Sequence, residues 1–447
     1  MRRYGFPPRR LPGFRKKEIQ KMKYSMNTFR LYQSEKNFSR AVSVRVTMKE
    51  EVDLDTLRRA VNEAMKRYPY FAVEVSQDAE GGYILLPNPR EILVRRAEKK
   101  LPLLGSQEVN MHLCFAECEG RDIYFHITHA LCGGRGFLPW VQTCIYQYVS
   151  DRYEVTPNAP GIRNVGSPLL PGEDAEPSLE SLPQEAPIYQ FKGKGATILA
   201  MDYLNGLMNP FKRKPNYRRY TFYQKDIMSF VRETDASVAS FFLVVMAKAL
   251  DRVLPKKNLV IGGEIAHNPS ATLGIPNTHV DILSHIRIDY TREQLKWDME
   301  RLGTMTRGQM ILQTDPSVSL VEVRSQYQLL KDIEGIHGIK KKKAHMKKGS
   351  SEGKNANHGT YIVNYSGRMD WGEVADYVES YVILTEGHLL LEVTSMEGKI
   401  FVSFMQLLDT DKYASAFEAV LADLQIPFRA EGPFPRNLTK HQLPDSI

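Results

Sequence analysis

A chain of 447 residues, 42% of them apolar, is long enough to bury two sizeable cores, and no run approaches the roughly 20 apolar residues that a membrane-spanning helix needs. The formal charge of +8 is concentrated: residues 1–23 hold nine Lys/Arg against one Glu and residues 340–354 seven Lys against one Glu, which leaves a mildly acidic body and argues against a broad nucleic-acid face. Cys114, Cys118, Cys132 and Cys144 crowd into one region without the spread of a disulfide framework, and the N-terminus lacks a signal peptide's apolar core; both features fit a reducing, cytoplasmic setting.

Taken in chain order, residues 1–25 read as a basic irregular tail rich in Pro, Arg and Lys. Val42, Val44, Val46 and Met48 alternate with polar residues, the signature of a half-buried strand. Asp53 is an N-cap for a helix whose Leu57, Val61, Ala64, Met65 and Tyr68 share one face, and Pro69 stops it. Strands follow at 71–75 and 83–86, then a hairpin of residues 111–118 and 122–128 around Glu119-Gly120-Arg121. A helix begins near Phe137, and the Pro/Gly/acid-rich stretch 156–190 reads as a linker. Beyond it come a strand at 218–222, a helix at 225–233 and a Ser237-capped helix, then strands at 259–265 and 282–288. Helices at 291–312 and 317–333 precede a lysine-rich loop at 340–354 and a strand at 361–364. A hairpin of 389–394 and 400–405 and a helix at 411–424 complete the pattern. Residues 26–155 and 191–430 thus form two mixed α/β lobes of similar element order with a cleft between them, and 431–447 is a second tail.

One stretch carries chemistry. The strand ending at Thr128 delivers His129 into a turn, His129-Ala130-Leu131-Cys132-Gly133-Gly134, whose glycines let the backbone bend sharply and let another molecule approach. A lone histidine at a strand end is often just a satisfied polar residue, so position alone leaves both readings open.

The segment Phe125-His126-Ile127-Thr128-His129-Ala130-Leu131-Cys132-Gly133-Gly134 resembles the HHxxxDG motif of the chloramphenicol-acetyltransferase-like superfamily, and among its branches the alcohol acetyltransferases and condensation domains. Three further stretches match in order: Asp53–Leu57 through Arg67-Tyr68-Pro69-Tyr70-Phe71, Val363-Asn364-Tyr365-Ser366-Gly367, and the hairpin around Ser395–Lys399. Asp370-Trp371-Gly372 echoes a signature of the plant acyltransferase branch but reads better as a turn. The resemblance implies two pseudo-symmetric lobes, each a mixed sheet with flanking helices, and a channel at their interface with His129 midway along it. It implies transfer of an acyl group from a thioester to an alcohol or amine acceptor, with His129 as general base, Gly133 and Gly134 shaping the motif turn, and Asn364 or Ser366 as oxyanion donor. No bound cofactor is implied. The co-substrate would be acyl-CoA or an acyl-phosphopantetheine, the latter on a carrier protein, and the lysine-rich segments, Lys340–Lys343 among them, would help capture its phosphates.

Two positions depart from the motif: its Asp is Gly133 here and its first His is Thr128. In the family that Asp pairs with an Arg of the second lobe, and the matching Asn-x-Arg reads Ala266-His267-Asn268 by loose alignment. Loss of one member of a buried pair costs about 3–5 kcal/mol, whereas loss of both is tolerable. The turn is therefore expected to have lost an anchor and to hold His129 less firmly. Rival readings are a catalytically inactive relative that serves binding or assembly, and a scaffold whose basic tail binds acidic lipid or polymer.

His112, Cys114, Cys118, His126, His129 and Cys132 also form a Cys/His cluster. With Gly120-Arg121 as a two-residue turn, His112 sits across from His129, with Cys114 and Cys118 on the same face. No CxxC or HExxH accompanies them and their neighbours are apolar, so core cysteines and no metal are expected. Neither GxxxxGK[ST] nor GxGxxG occurs.

Overall fold

The computed structural model describes residues 25–34, 40–184, 195–254, 260–354 and 359–444. Ser25 caps α1 (Met26–Gln33), and β1 (Ala41–Met48) follows. The Asp53 carboxylate accepts from Thr56 N at 2.8 Å and starts α2 (Leu54–Met65), as its sequence predicts. β2 (Val73–Gln77) and β3 (Tyr83–Pro87) form a separate hairpin; β4 (Val94–Arg96), β5 (Cys114–Glu119) and β6 (Asp122–Thr128) lead to α3 (Gly134–Tyr153). Then come α4 (Gly195–Met208), β7 (Asn216–Tyr223), α5 (Gln224–Glu233) and α6 (Val238–Val253), which opens on a Ser237–Ser240 capping box. β8 (Ile261–His267) and β9 (Ser284–Tyr290) precede α7 (Met299–Thr314), α8 (Pro316–Glu334) and α9 (Ile339–Lys354). β10 (Tyr361–Arg368), β11 (Val378–Thr385), β12 (Leu390–Met396), β13 (Lys399–Gln406), α10 (Lys412–Asp423) and β14 (Arg429–Pro435) end the described fold.

These strands build two mixed sheets, one of five strands in the order β11-β1-β6-β5-β4 and one of seven in the order β14-β7-β13-β12-β10-β8-β9. Phe125 of β6 meets Trp140 of α3 edge-to-face, with ring centroids 5.5 Å apart, and the Tyr148 hydroxyl accepts from Asp53 N at 3.0 Å, so α2 and α3 cover one side of the first sheet. On the second sheet Phe222 meets Phe242 of α6 at 5.6 Å and Tyr220 meets Phe417 of α10 at 5.2 Å. The β5–β6 register pairs Glu119 with Asp122 and Cys114 with Ile127, so Gly120-Arg121 is a two-residue turn.

The halves are laced rather than strung. β11 leaves the second half, pairs with β1 at the edge of the first sheet, and the chain then returns to the second sheet as β12. Thr394 donates to the Tyr381 carbonyl at 3.0 Å, and Arg219 donates to Ser380 at 2.7 Å, so β11 is bonded to both sheets. The apolar run of β11 is absent from the sequence reading, and α1, α4 and β14 are also additions.

Three expectations are corrected. The stretch read as a linker is packed against the body over 156–184, because Glu173 is buried and accepts from Arg67, Arg163 and Tyr70. The lysine-rich loop is helix α9, in which Lys342 is fully buried and donates to Glu334 at 3.1 Å; a cation spent this way is not offered to a phosphate. The chain end read as a tail adds β14 to the second sheet, and His441 bridges Leu104 of the first half. Residues 1–24, which carry the cations of the N-terminal tail, lie outside the described residues.

Candidate active site

β6 ends where its hydrogen-bond ladder with β1 runs out. The backbone N–H of His129 makes the last contact, donating to the Arg40 carbonyl at 3.0 Å. The turn then closes on itself: Leu131 N donates to the Thr128 carbonyl at 2.9 Å, and Ala130 N to the Thr128 hydroxyl at 3.2 Å. Thr128, which stands where the motif's first His would be, therefore shapes the turn. Gly133 is the N-cap of α3, and its own N–H reaches out of the turn to the His279 carbonyl at 2.9 Å.

The segment that accepts this bond supplies what the turn lacks. A Cβ on Gly133 would stand 2.8 Å from Oδ1 of Asp281, so the volume of a side chain at 133 is filled by a carboxylate from the segment that leads into β9. Asp281 is buried, and its Oδ2 accepts from Arg30 Nε of α1 at 2.7 Å while Arg30 Nη2 bonds the Asp281 carbonyl at 3.0 Å. Burial alone would push this carboxyl up, but Arg30, with His129 and Arg40, holds it below the ordinary range. The expectation of a lost anchor is thus corrected: a carboxylate from the segment that leads into β9 fills the place beside Gly133, and its cation is supplied by α1.

The imidazole of His129 is oriented by these groups. Nδ1 lies 3.3 Å from the Cys132 carbonyl and 3.7 Å from Asp281 Oδ2. Both are acceptors, which places the ring hydrogen on Nδ1 and leaves Nε2 with a free lone pair. Nε2 makes no hydrogen bond among the described residues, and a quarter of the side chain (25%) reaches solvent. Burial lowers the pKa of the ring, as do the Arg30 and Arg40 guanidiniums against the pull of Asp281, so the neutral form prevails at pH 7.

The segment carrying Asp281 is itself pinned. His279 N donates to the Glu173 carbonyl at 2.8 Å, Tyr70 lies 2.6 Å from His279 Nδ1, and Arg163 donates to Nε2 at 3.2 Å. Arg67 forks onto both Glu173 oxygens at 2.6 and 2.9 Å, and the cluster holds the Glu173 carboxyl down at about 2. The Arg67-Tyr68-Pro69-Tyr70-Phe71 stretch thus supports the loop behind the histidine.

Gly134 belongs to the same turn, and the other sequence-predicted residues lie elsewhere. Gly134 begins α3 beside the Phe137 ring. Asn364 Nδ2 donates to Glu392 at 2.8 Å and its Oδ1 accepts from Ala266 N at 3.2 Å, while the Ser366 hydroxyl donates to the Val393 carbonyl at 3.2 Å. Either would have to exchange its partner to serve an oxyanion. His112 bonds the Arg90 carbonyl at 2.8 Å, His126 stacks on Phe115, and the four cysteines are buried thiols; among the described residues no group of three His, Cys, Asp or Glu could hold a metal ion. Asp370-Trp371-Gly372 opens a short 3-10 helix (Gly372–Tyr377), with Gly372 N donating to the Asp370 carboxylate at 3.0 Å and Trp371 buried. Asp281 and Arg30 escape sequence reading, since neither lies in a motif and each acts only through a residue far along the chain. No helix among the described residues is long and apolar enough to cross a membrane.

No family model and no curated protein matches the chain. Solved structures do. Polyketide synthase associated protein 5 from Mycobacterium tuberculosis superposes with a TM-score of 0.56 at 14% identity, over 90% of this chain and 96% of its own. TRI101 of F. sporotrichioides, complexed with coenzyme A and T-2, gives 0.54 at 10% identity, over 90% and 98%. The cyclization-docking bidomain of the EpoB peptide synthetase from Sorangium cellulosum gives 0.51 at 10%, over 90% and 82%. What is shared at these identities is the architecture: the chain has the two-lobed, chloramphenicol-acetyltransferase-like fold.

Proposed function

We propose that the chain is an acyltransferase that moves an acyl group from a thioester, acyl-CoA or a carrier-bound phosphopantetheine, to an alcohol or amine acceptor, with His129 as general base. The observation that carries this reading is the orientation of one ring. Nδ1 faces the Cys132 carbonyl and Asp281, so Nε2 keeps a lone pair, and the lowered pKa keeps that lone pair available at neutral pH. Nε2 takes the proton of the acceptor hydroxyl as its oxygen attacks the thioester carbonyl. The tetrahedral intermediate then expels the thiolate as the C–S bond breaks, and the imidazolium returns the proton to sulfur. No enzyme nucleophile is needed, in keeping with four buried cysteines whose thiols burial pushes up. The fold shared with a structure complexed with coenzyme A supports the donor class.

The test is thiol release from a panel of acyl-CoAs in the presence of alcohols and amines. Loss of the base in His129→Ala should lower the rate ~10²–10⁴-fold. Release by the variant at the wild-type rate would remove the ring from the chemistry, and a silent wild type across the panel would favour a binding or assembly role.

A further inference from the structure

Half of the large apolar side chains that the described residues leave exposed lie in one short stretch: Met201, Leu204, Leu207, Met208 and Phe211. Positions 201, 204 and 208 of α4 fall at i, i+3 and i+7 and form a single stripe, continued by Phe211 in the turn beyond. Leu207, Met208 and Phe211 are 70%, 75% and 85% exposed, values that are costly in water unless something covers them. The other side of the helix is fastened to the body. Asp202 accepts from the Tyr413 hydroxyl at 2.8 Å and lies 2.5 Å from His388 Nε2, and Gly206 sits against Leu408.

Charge completes the pattern. Between 192 and 214 the sequence holds Lys192, Lys194, Lys212, Arg213 and Lys214, and its one acid is Asp202. That acid is turned inward, and the exposed apolar side chains run directly into the cations of Lys212, Arg213 and Lys214. Lys214 reaches Asp409 at 3.1 Å, whereas Lys212 and Arg213 project into solvent.

We propose that α4 and the Phe211-Lys212-Arg213-Lys214 turn form a docking element for an anionic membrane surface. The helix lies in the interfacial plane with Leu204, Leu207, Met208 and Phe211 among the acyl chains and the flanking cations on lipid phosphates. A second copy is the poorer occupant, because self-pairing of this face would set its Lys and Arg against their own kind. The proposal is independent of the acyl-transfer reading.

The test is sedimentation of the full-length protein with vesicles of phosphatidylcholine containing phosphatidylglycerol, compared with phosphatidylcholine alone. The wild type should bind the anionic vesicles, less so as salt is raised. Leu207→Gln/Phe211→Gln, at exposed sites that leave the melting temperature unchanged, should weaken binding about tenfold or more. Lys212→Gln/Arg213→Gln should do the same at low salt. The basic stretch 1–23 is intact in every variant, so these losses belong to α4. Failure of the wild type to bind anionic vesicles, or equal binding by the apolar variant, would overturn the proposal. So would a wild-type dimer, seen by light scattering, that the apolar variant dissociates while vesicle binding is unchanged.

Discussion

Gly133 and Asp281 share one volume: the Cβ that Gly133 lacks would stand 2.8 Å from an Asp281 carboxylate oxygen. A carboxylate can occupy this place from either chain segment, but not from both. Gly133→Asp should therefore force two carboxylates together beside the Arg30 guanidinium. Asp281→Gly should leave that guanidinium buried and unpaired. Each single change is expected to cost about 3–5 kcal/mol in urea unfolding. The double variant Gly133→Asp/Asp281→Gly returns the carboxylate to the turn and should be markedly more stable than the sum of the two predicts. Strictly additive losses would show that the positions are not exchanging one charge.

Acid should unfold the protein earlier than its carboxylates require. Burial first, then Arg163 and Arg67 against the pull of Glu173, take the His279 imidazole down to about 4 from 6.5. Burial also lowers His129, His112 and His267. The unfolded chain takes up these protons below pH 6.5, whereas folded His279 does so only near 4. Its contribution is therefore present above pH 6.5 and lost as the pH falls through that window. For His279 alone the loss between pH 7 and 4.5 is about 2–3 kcal/mol. Urea unfolding at the two pH values should show it, and His279→Asn, though less stable at pH 7, should flatten the dependence. An unchanged slope in the variant would assign the effect elsewhere.

The parts of this fold that a sequence exposes are those whose causes are local. Asp53 and Ser237 cap the helices that follow them, and the alternation of Asp122–Thr128 marks a strand with one face on the core. β11 is hidden because Tyr381-Val382-Ile383-Leu384 is buried on both faces and does not alternate, and its partner β1 lies more than 300 residues away. The lysines of α9 read as a solvated loop, since nothing in their charge shows that Lys342 folds back onto Glu334 of the preceding helix. His129 is legible through its glycine-rich turn. Its anchor is not, because Asp281 contributes by filling the space that a missing side chain leaves, a relation between positions 148 residues apart.

The second sheet carries a titration of the opposite sign. Glu392 of β12 is buried on the face that carries Asn364, and burial pushes its carboxyl up to about 7 even though Asn364 donates to it. Ser403, its cross-strand neighbour, has a buried hydroxyl with no hydrogen-bond partner among the described residues. The folded acid keeps its proton over a range in which the unfolded one, with an ordinary value of 4.5, has lost it. Stability from this site is therefore complete below pH 4.5 and falls as the pH rises through about 7. Glu392→Gln keeps the shape and the acceptor for Asn364 and removes the charge. It should be close to neutral at pH 5 and stabilising by up to about 3 kcal/mol at pH 8, read by urea unfolding at both. A variant that gains nothing at pH 8 would mean that the carboxylate is solvated once ionised.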